Sequence, residues 1–290
     1  MTRGETVRGL WELLRPMNAF AASVLTAIGA FVAGGVTEVP LLVTAAVVAT
    51  FLGTGAGNAI NDYFDREIDA HNRPDRPLPR GAVTPTQALW FSIACFAIAV
   101  ALTLLLPLLA IAIALFNLVA LVSYTQVFKG TPGAGNLLVG YLVGSTFLFG
   151  AATVGELGPV LVLFALAALS TVAREIVKDV EDVDGDRAEG LRTLPIAIGI
   201  RRSLQVAVVV LAVALIASPL PYVLDYFGVI YLVLVLPTVG YMLYAARVSF
   251  ENPAAGQRHL KLGMFLAAVA FIIGRLALEV ELPVWVGKGF

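Results

Sequence analysis

The sequence predicts an all-α, polytopic membrane protein of nine transmembrane helices. Composition is the first reason. The chain is 59% hydrophobic and only 13% charged, with a mean hydropathy of +0.89, whereas a soluble domain is about 25% charged and roughly 45–50% apolar. The second is length: the apolar residues fall in runs of the ~20 residues that cross a hydrocarbon core about 30 Å thick. The third is the distribution of basic residues, which alternates from one gap to the next.

The first span covers residues 17–36 and the second 39–60. Residues 66–80 form a polar loop whose Pro74, Pro77 and Pro79 exclude a continuous helix. Residues 81–128 contain no charge. That run is too long for one crossing, and Pro107 near its middle marks the turn between a third and a fourth span. The fifth span, 130–155, carries Gly133, Gly135, Gly140 and Gly144, which permit close helix approach. The sixth covers 157–173, the seventh 203–224, the eighth 226–246 and the ninth about 260–278.

Placing the N-terminus in the cytoplasm makes the gaps after spans two, four, six and eight cytoplasmic. Of the 19 Lys and Arg, all but Arg275 and Lys288 then fall in the N-terminal segment or those gaps. This is the asymmetry of the positive-inside rule, and it leaves the C-terminus outside. Fusing spans three and four would break the alternation. The expected location is the plasma membrane, with one domain over residues 1–290. Two parallel four-helix pseudo-repeats, about 11–130 and 131–250, would surround a central cavity, and the ninth helix (about 258–280) would pack beside them. Cys95 is the single cysteine, so no disulfide and no cysteine metal site is expected. The start of the chain is polar through Arg15 and has no cleavable-leader pattern.

Two charged stretches follow spans two and six. The first is Asn61-Asp62-Tyr63-Phe64-Asp65-Arg66-Glu67-Ile68-Asp69 and the second runs from Arg174 to Asp186. Asn61, Asp65 and Asp69 are spaced four apart, as are Lys178, Asp182 and Asp186, so each set stacks on one helical face. Like charges at that spacing repel by a few tenths of a kcal/mol per pair. Carrying that cost twice suggests a cation between the carboxylates. Asp65 and Asp182 are separated by the same stretch of chain as Asp69 and Asp186, which makes the motifs an internal repeat on one side of the membrane.

Hard oxygen ligands in small number suit Mg²⁺, which usually binds one or two carboxylates plus substrate phosphates. Two such clusters at an apolar cavity suggest metal ions bridging a diphosphate, with Lys178, Arg73, Arg76, Lys129 and Arg15 available to clamp it. The apolar cavity would hold an isoprenoid tail. Phe64, Tyr124, Tyr141, Phe147 and Phe149 are available to face an allylic cation, although packing is the ordinary use of such residues. Asn18 follows the Arg15-Pro16 turn and could reach the cavity. Asn58, Asp62 and Asp179 would support the ligands from behind. His71 is better read as a solvated loop residue than as a base.

These paired motifs resemble those of the UbiA-type intramembrane prenyltransferases along nearly the whole chain. The resemblance implies nine spans with the N-terminus inside. It implies that Asn61, Asp65 and Asp69, matching Asn-x-x-x-Asp-x-x-x-Asp, and Asp182 and Asp186, matching Asp-x-x-x-Asp, hold Mg²⁺ and diphosphate for catalysis, with Lys178 as a basic partner. Many members carry tyrosine four residues before that lysine, where this chain has Arg174. The departure argues against a quinone-type acceptor and for an anionic one bound by Arg174, with Arg15 and Asn18.

Within the family, residues 72–79, 174–179, Gly185-Asp186-Arg187 and Leu194-Pro195 are most similar to the branch that makes archaeal ether lipids. The reaction this implies is transfer of geranylgeranyl from its diphosphate to the free hydroxyl of geranylgeranylglyceryl phosphate. Chlorophyll synthases share a similar loop and second motif, so a chlorophyllide or other aromatic acceptor is the alternative. A cation-coupled transporter is the rival of another class, but such sites lie near the midplane on broken helices, not at helix ends beside a basic loop. The expected partners are a prenyl diphosphate, a lipid phosphate acceptor and the bilayer. Nothing in the sequence points to nucleic acid or an obligate protein partner.

Overall fold

The computed structural model describes residues 3–128 and 130–279. Among these residues every regular element is helical. In chain order they are α1 (Arg3–Leu13), α2 (Pro16–Ala33), α3 (Pro40–Phe64), α4 (Arg66–Asn72), α5 (Pro85–Thr103), α6 (Leu108–Ser123), α7 (Ala134–Val154) and α8 (Gly158–Glu181). There follow α9 (Val183–Ala188), α10 (Leu194–Ile198), α11 (Ile200–Ala217), α12 (Leu220–Val223), α13 (Val229–Glu251) and α14 (Pro253–Glu279). Lys129 and the C-terminal end, with Lys288, lie outside the described residues.

Among the described residues, eight helices are long and apolar enough to cross a membrane: α2, α3, α5, α7, α8, the stretch Ile200–Val223, α13 and α14. Where a fourth span is expected the chain forms α6, a shorter apolar helix whose 16 residues rise only about 24 Å at ~1.5 Å per residue. A five-residue π-helical turn, Tyr124–Phe128, extends it. The turn at Pro107 stands as expected: α5 ends at Thr103, and Pro107 is the N-cap of α6. Local signals fix several helix starts. Proline occupies the first turn of α3, α5 and α8, where its missing N–H costs nothing. Thr84 and Gln87 close a capping box on α5.

Two departures from the sequence reading concern polar segments. The N-terminal segment is helical: α1 presents Val7 and Trp11 to the outside and buries Gly9 and Leu13. The 66–80 loop begins as α4 and breaks only where its prolines start.

The chain divides into two compact units. The first holds residues up to Ala30, Gly34–Thr125 and Thr146–Glu156. In it, α5 packs on α3, and Ser92 Oγ donates to the Ala56 carbonyl at 2.9 Å. Small residues bring the last two turns of α7 against α2. A Cβ on Gly150 would stand 1.9 Å from the Thr26 carbonyl oxygen, and one on Gly29 2.2 Å from that of Phe147. Phe147 and Phe149 are buried in this unit, so both serve packing.

The second unit holds Phe31–Ala33, Gln126–Ser145 and Leu157 onward. Its core joins Val172, Ile176 and Val180 of α8 to Leu204 and Leu211 of α11, Met242 of α13 and Leu260 of α14. Gly140 and Gly144, four apart on α7, meet carbonyl oxygens of Ala168 and Phe164 on α8, the close approach expected of that glycine-rich span. Large apolar side chains such as Val209, Ile216, Val233 and Phe265 point outward, as lipid-facing residues do.

Candidate functional site

Both acidic motifs have the same local build. Asp65 ends α3 and caps α4, with φ −82° and ψ 3°. Asp182 ends α8 and caps α9, with φ −90° and ψ 4°. Each aspartate sits at a kink that keeps the helical ladder. The Asp65 N–H donates to the Asn61 carbonyl at 2.9 Å, and the Asp69 N–H to the Asp65 carbonyl at 2.8 Å. In the second motif the Asp182 N–H donates to Lys178 and the Asp186 N–H to Asp182, both at 2.9 Å. The four-residue stacking expected from the sequence therefore survives the break, and the middle aspartate of each set lies at a helix junction.

In the first unit, Asn61 and Asp65 are half-buried, while Asp62 and Asp69 are buried. Asp62 Oδ1 accepts from Arg15 Nη2 at 2.6 Å and from Arg76 Nη1 at 3.2 Å. Arg76 also donates to Asp69. Burial pulls the carboxylates out of water, and the two guanidinium groups offset that cost with charge-assisted bonds. Arg73 caps the end of α4 and is exposed. Asn58, expected behind the ligands, donates its amide to the Leu14 carbonyl at 3.0 Å. Asn18 is exposed on α2.

In the second unit, Lys178 Nζ lies 4.0 Å from both Glu175 Oε2 and Asp182 Oδ2. The Asp182 side chain is 46% exposed. Asp186 is half-buried, and burial, with neighbouring Asp182 and Glu189, raises its carboxyl above the ordinary range. Asp179 accepts from Asn136 Nδ2 of α7 at 2.8 Å. Arg174 donates to Glu175 and, at 3.4 Å, to Gln257 of α14. Asn136, Glu175 and Gln257 had no role in the sequence reading. Asn136 and Gln257 meet their partners across helices, which helical spacing does not reveal, whereas Glu175 lies one turn before Lys178.

Among the described residues, no group of three or more His, Cys, Asp or Glu gathers tightly enough to cage a metal. The donors expected from the sequence are all oxygen: Asn61, Asp65 and Asp69 in the first unit, and separately Asp182 and Asp186 in the second. Such a set fits Mg²⁺, which takes few protein carboxylates and completes an octahedron with water and phosphate oxygens. A like-charged pair such as exposed Asp182 and half-buried Asp186 is one that a divalent cation would stabilise.

The profile described as the UbiA prenyltransferase family matches residues 22–269. The chain belongs to the UbiA prenyltransferase family. This UbiA chain is 66% identical to the digeranylgeranylglyceryl phosphate synthase of Natronomonas pharaonis over 274 residues, covering 94% of this chain and 99% of that one. It is 58% identical to the enzyme of that name from Halobacterium salinarum, again over 94% and 99%. The relative of the same name from Methanopyrus kandleri is 44% identical over 93% and 100%. Among solved structures, one of digeranylgeranylglyceryl phosphate synthase in membranes superposes with a TM-score of 0.81 at 35% identity, covering 94% of this chain and 99% of that chain. A UbiA homologue from Archaeoglobus fulgidus, bound to DMAPP and Mg²⁺, superposes at 0.73 with 18% identity over 93% and 99%, a likeness of fold.

Proposed function

We propose that this UbiA prenyltransferase transfers a geranylgeranyl group from geranylgeranyl diphosphate to the free hydroxyl of geranylgeranylglyceryl phosphate. The reaction forms the second ether bond of an archaeal membrane lipid and releases diphosphate. The observation that carries the reading is the 66% identity, along 94% of the chain, to a digeranylgeranylglyceryl phosphate synthase. Arg174 supports it, because a phosphate-bearing acceptor needs a cation apart from those that hold the diphosphate.

The proposed arrangement is nine spans with the N-terminus cytoplasmic and the C-terminus outside. The pseudo-repeats, about 11–130 and 131–250, place both motifs at a cytoplasmic opening in the plasma membrane. The matching kinks at Asp65 and Asp182 support the repeat. Asn61, Asp65, Asp69, Asp182 and Asp186 would hold Mg²⁺. When bound, Mg²⁺ neutralises charge that develops on the departing diphosphate. Lys178, Arg73, Arg76 and Lys129 would bind the diphosphate oxygens, and Arg174, with Arg15 and Asn18, the acceptor phosphate. The allylic C–O bond breaks with its electron pair leaving on the diphosphate. The acceptor oxygen then bonds to the prenyl carbon and releases its proton. Spans lined by apolar side chains keep water from the cation.

The test is purified protein in lipid vesicles with geranylgeranyl diphosphate, Mg²⁺ and a choice of acceptors. The expected product is digeranylgeranylglyceryl phosphate. Prenylation of 4-hydroxybenzoate or a chlorophyllide, with the glyceryl phosphate ignored, would overturn the acceptor assignment.

A further inference from the structure

Arg15 stands at the reversal between α1 and α2 with a positive φ of 46°, a conformation that side-chain-bearing residues seldom adopt. A non-glycine residue held there marks a place where surrounding contacts dictate the backbone. Those contacts come from one face of α3. Asn58 donates to the Leu14 carbonyl at 3.0 Å, and one turn later Asp62 receives the Arg15 guanidinium at 2.6 Å. The same Asp62 oxygen receives Arg76, whose guanidinium also reaches Asp69. Farther along the loop, Arg80 pairs with Glu12 of α1, so the 73–84 segment is tied down at two points.

The charges in this partly buried group balance, with buried Asp62 and Asp69 against half-buried Arg15 and Arg76. Arg76 therefore occupies a carboxylate that the proposed function gives to a metal ion. For Asp69 to take a cation, Arg76 must give up that bond without leaving the site. Asp62 supplies the second anchor that keeps it there. Arg15, in turn, neutralises Asp62 and keeps it from competing for the cation.

We propose that Asp62 is a positioning residue: clamped by Arg15, it holds Arg76 beside Asp69 and so sets how readily Asp69 accepts a divalent cation. The inference rests on the metal-dependent reading above, and the two variants of the clamp carry opposite signs. In Asp62→Asn, Arg76 is left with Asp69 as its one carboxylate among these four groups, so cation binding weakens. In Arg15→Gln, Asp62 keeps its charge for Arg76 alone, Asp69 is less engaged, and cation binding does not weaken. Losing a charge a few ångströms from a carboxylate changes how tightly that carboxylate holds a cation, by about tenfold for Asp62→Asn.

The experiment is Mn²⁺ binding to the full-length protein in lipid nanodiscs, followed by electron paramagnetic resonance without substrate. Melting temperature and prenyl transfer with Mg²⁺ are measured on the same samples. The expected result is at least tenfold weaker Mn²⁺ binding in Asp62→Asn, unchanged or tighter binding in Arg15→Gln, and an intermediate value in the double variant. Lower melting temperatures with Mn²⁺ affinity unchanged in all three would reduce the clamp to a fold contact and overturn the proposal. Equal weakening by both single variants would overturn it as well. Active wild-type protein with those outcomes loses only the positioning role, whereas wild-type protein that binds no Mn²⁺ and prenylates no acceptor loses the functional reading too.

Discussion

At the scale of single residues, proximity along the chain decided what could be read in advance. Asn61, Asp65 and Asp69 were legible because helical spacing places them, and the kink at Asp65 preserves that spacing. The pairing of Arg15 with Asp62 was not, since the partners are 47 residues apart and no periodicity links them. Replacing Asp65 or Asp182 with Ala is expected to lower turnover by on the order of 10²–10³, the usual loss when one charge-stabilising group leaves a preorganised site. Melting temperature is measured on the same variants, so that a loss of turnover in a folded protein is told from unfolding. Near-normal turnover of either variant, or full activity in EDTA, would remove the carboxylates from the metal site. Arg174 calls for a subtler measurement, since Glu175 and Gln257 already engage it. Losing a charge-assisted bond to the acceptor phosphate costs roughly 1.5–3 kcal/mol. Arg174→Ala should therefore raise KM for the phosphate-bearing acceptor by about tenfold or more and leave that for the prenyl diphosphate nearly unchanged. An equal rise in both would place Arg174 outside the acceptor contact.

At the scale of elements, apolar length was an adequate guide to the spans and a poor one to everything polar. The sequence reading passed over α1 because the helix is too short and too charged to read as a span. It becomes ordered through buried contacts of Gly9 and Leu13 and the Glu12–Arg80 pair. It likewise placed a loop where α4 runs, because the ladder from Asp65 to Arg73 continues until Pro74 ends it. Glycine marked helix contacts without naming partners. Gly140 and Gly144 do approach α8, but among the described glycines the tightest contact is that of Gly150 with α2. Gly150→Ala would drive a methyl into the Thr26 carbonyl, so the helices must separate. Overpacking of this kind costs about 1–3 kcal/mol, and a fall in melting temperature in detergent is the expected reading. Gly53→Ala is the matched control. Its Cβ would meet only the Ala99 methyl, at 4.0 Å, and replacing a mid-helix glycine is worth up to ~1 kcal/mol in helix propensity. A melting temperature that falls equally in both variants would show that carbonyl contact at Gly150 does not govern stability.

At the scale of the whole molecule, the proposed function depends on both acidic motifs opening on the same side of the membrane. The matching helix junctions at Asp65 and Asp182 do not decide it, because two helices built alike can point opposite ways. Basic residues carry the argument further: Arg73, Arg76 and Arg80 follow the first motif and Arg187 and Arg192 the second, while the alternate gaps hold Glu38, Glu156 and Asp225 and no Lys or Arg. Translocating arginine-rich loops is disfavoured, so these flanks set orientation. Cys95 is buried, and changing it to Ala leaves a background free of other thiols. Single cysteines in place of Asp75, Ala188, Glu38 and Glu156 fall on exposed positions. A membrane-impermeant maleimide should label Asp75→Cys and Ala188→Cys only from the cytoplasmic face, and Glu38→Cys and Glu156→Cys only from the other. If Asp75→Cys and Ala188→Cys react from opposite faces, an odd number of crossings separates the motifs. No common diphosphate could then be held by both, and the prenyl-transfer site would have to be rebuilt from one motif alone.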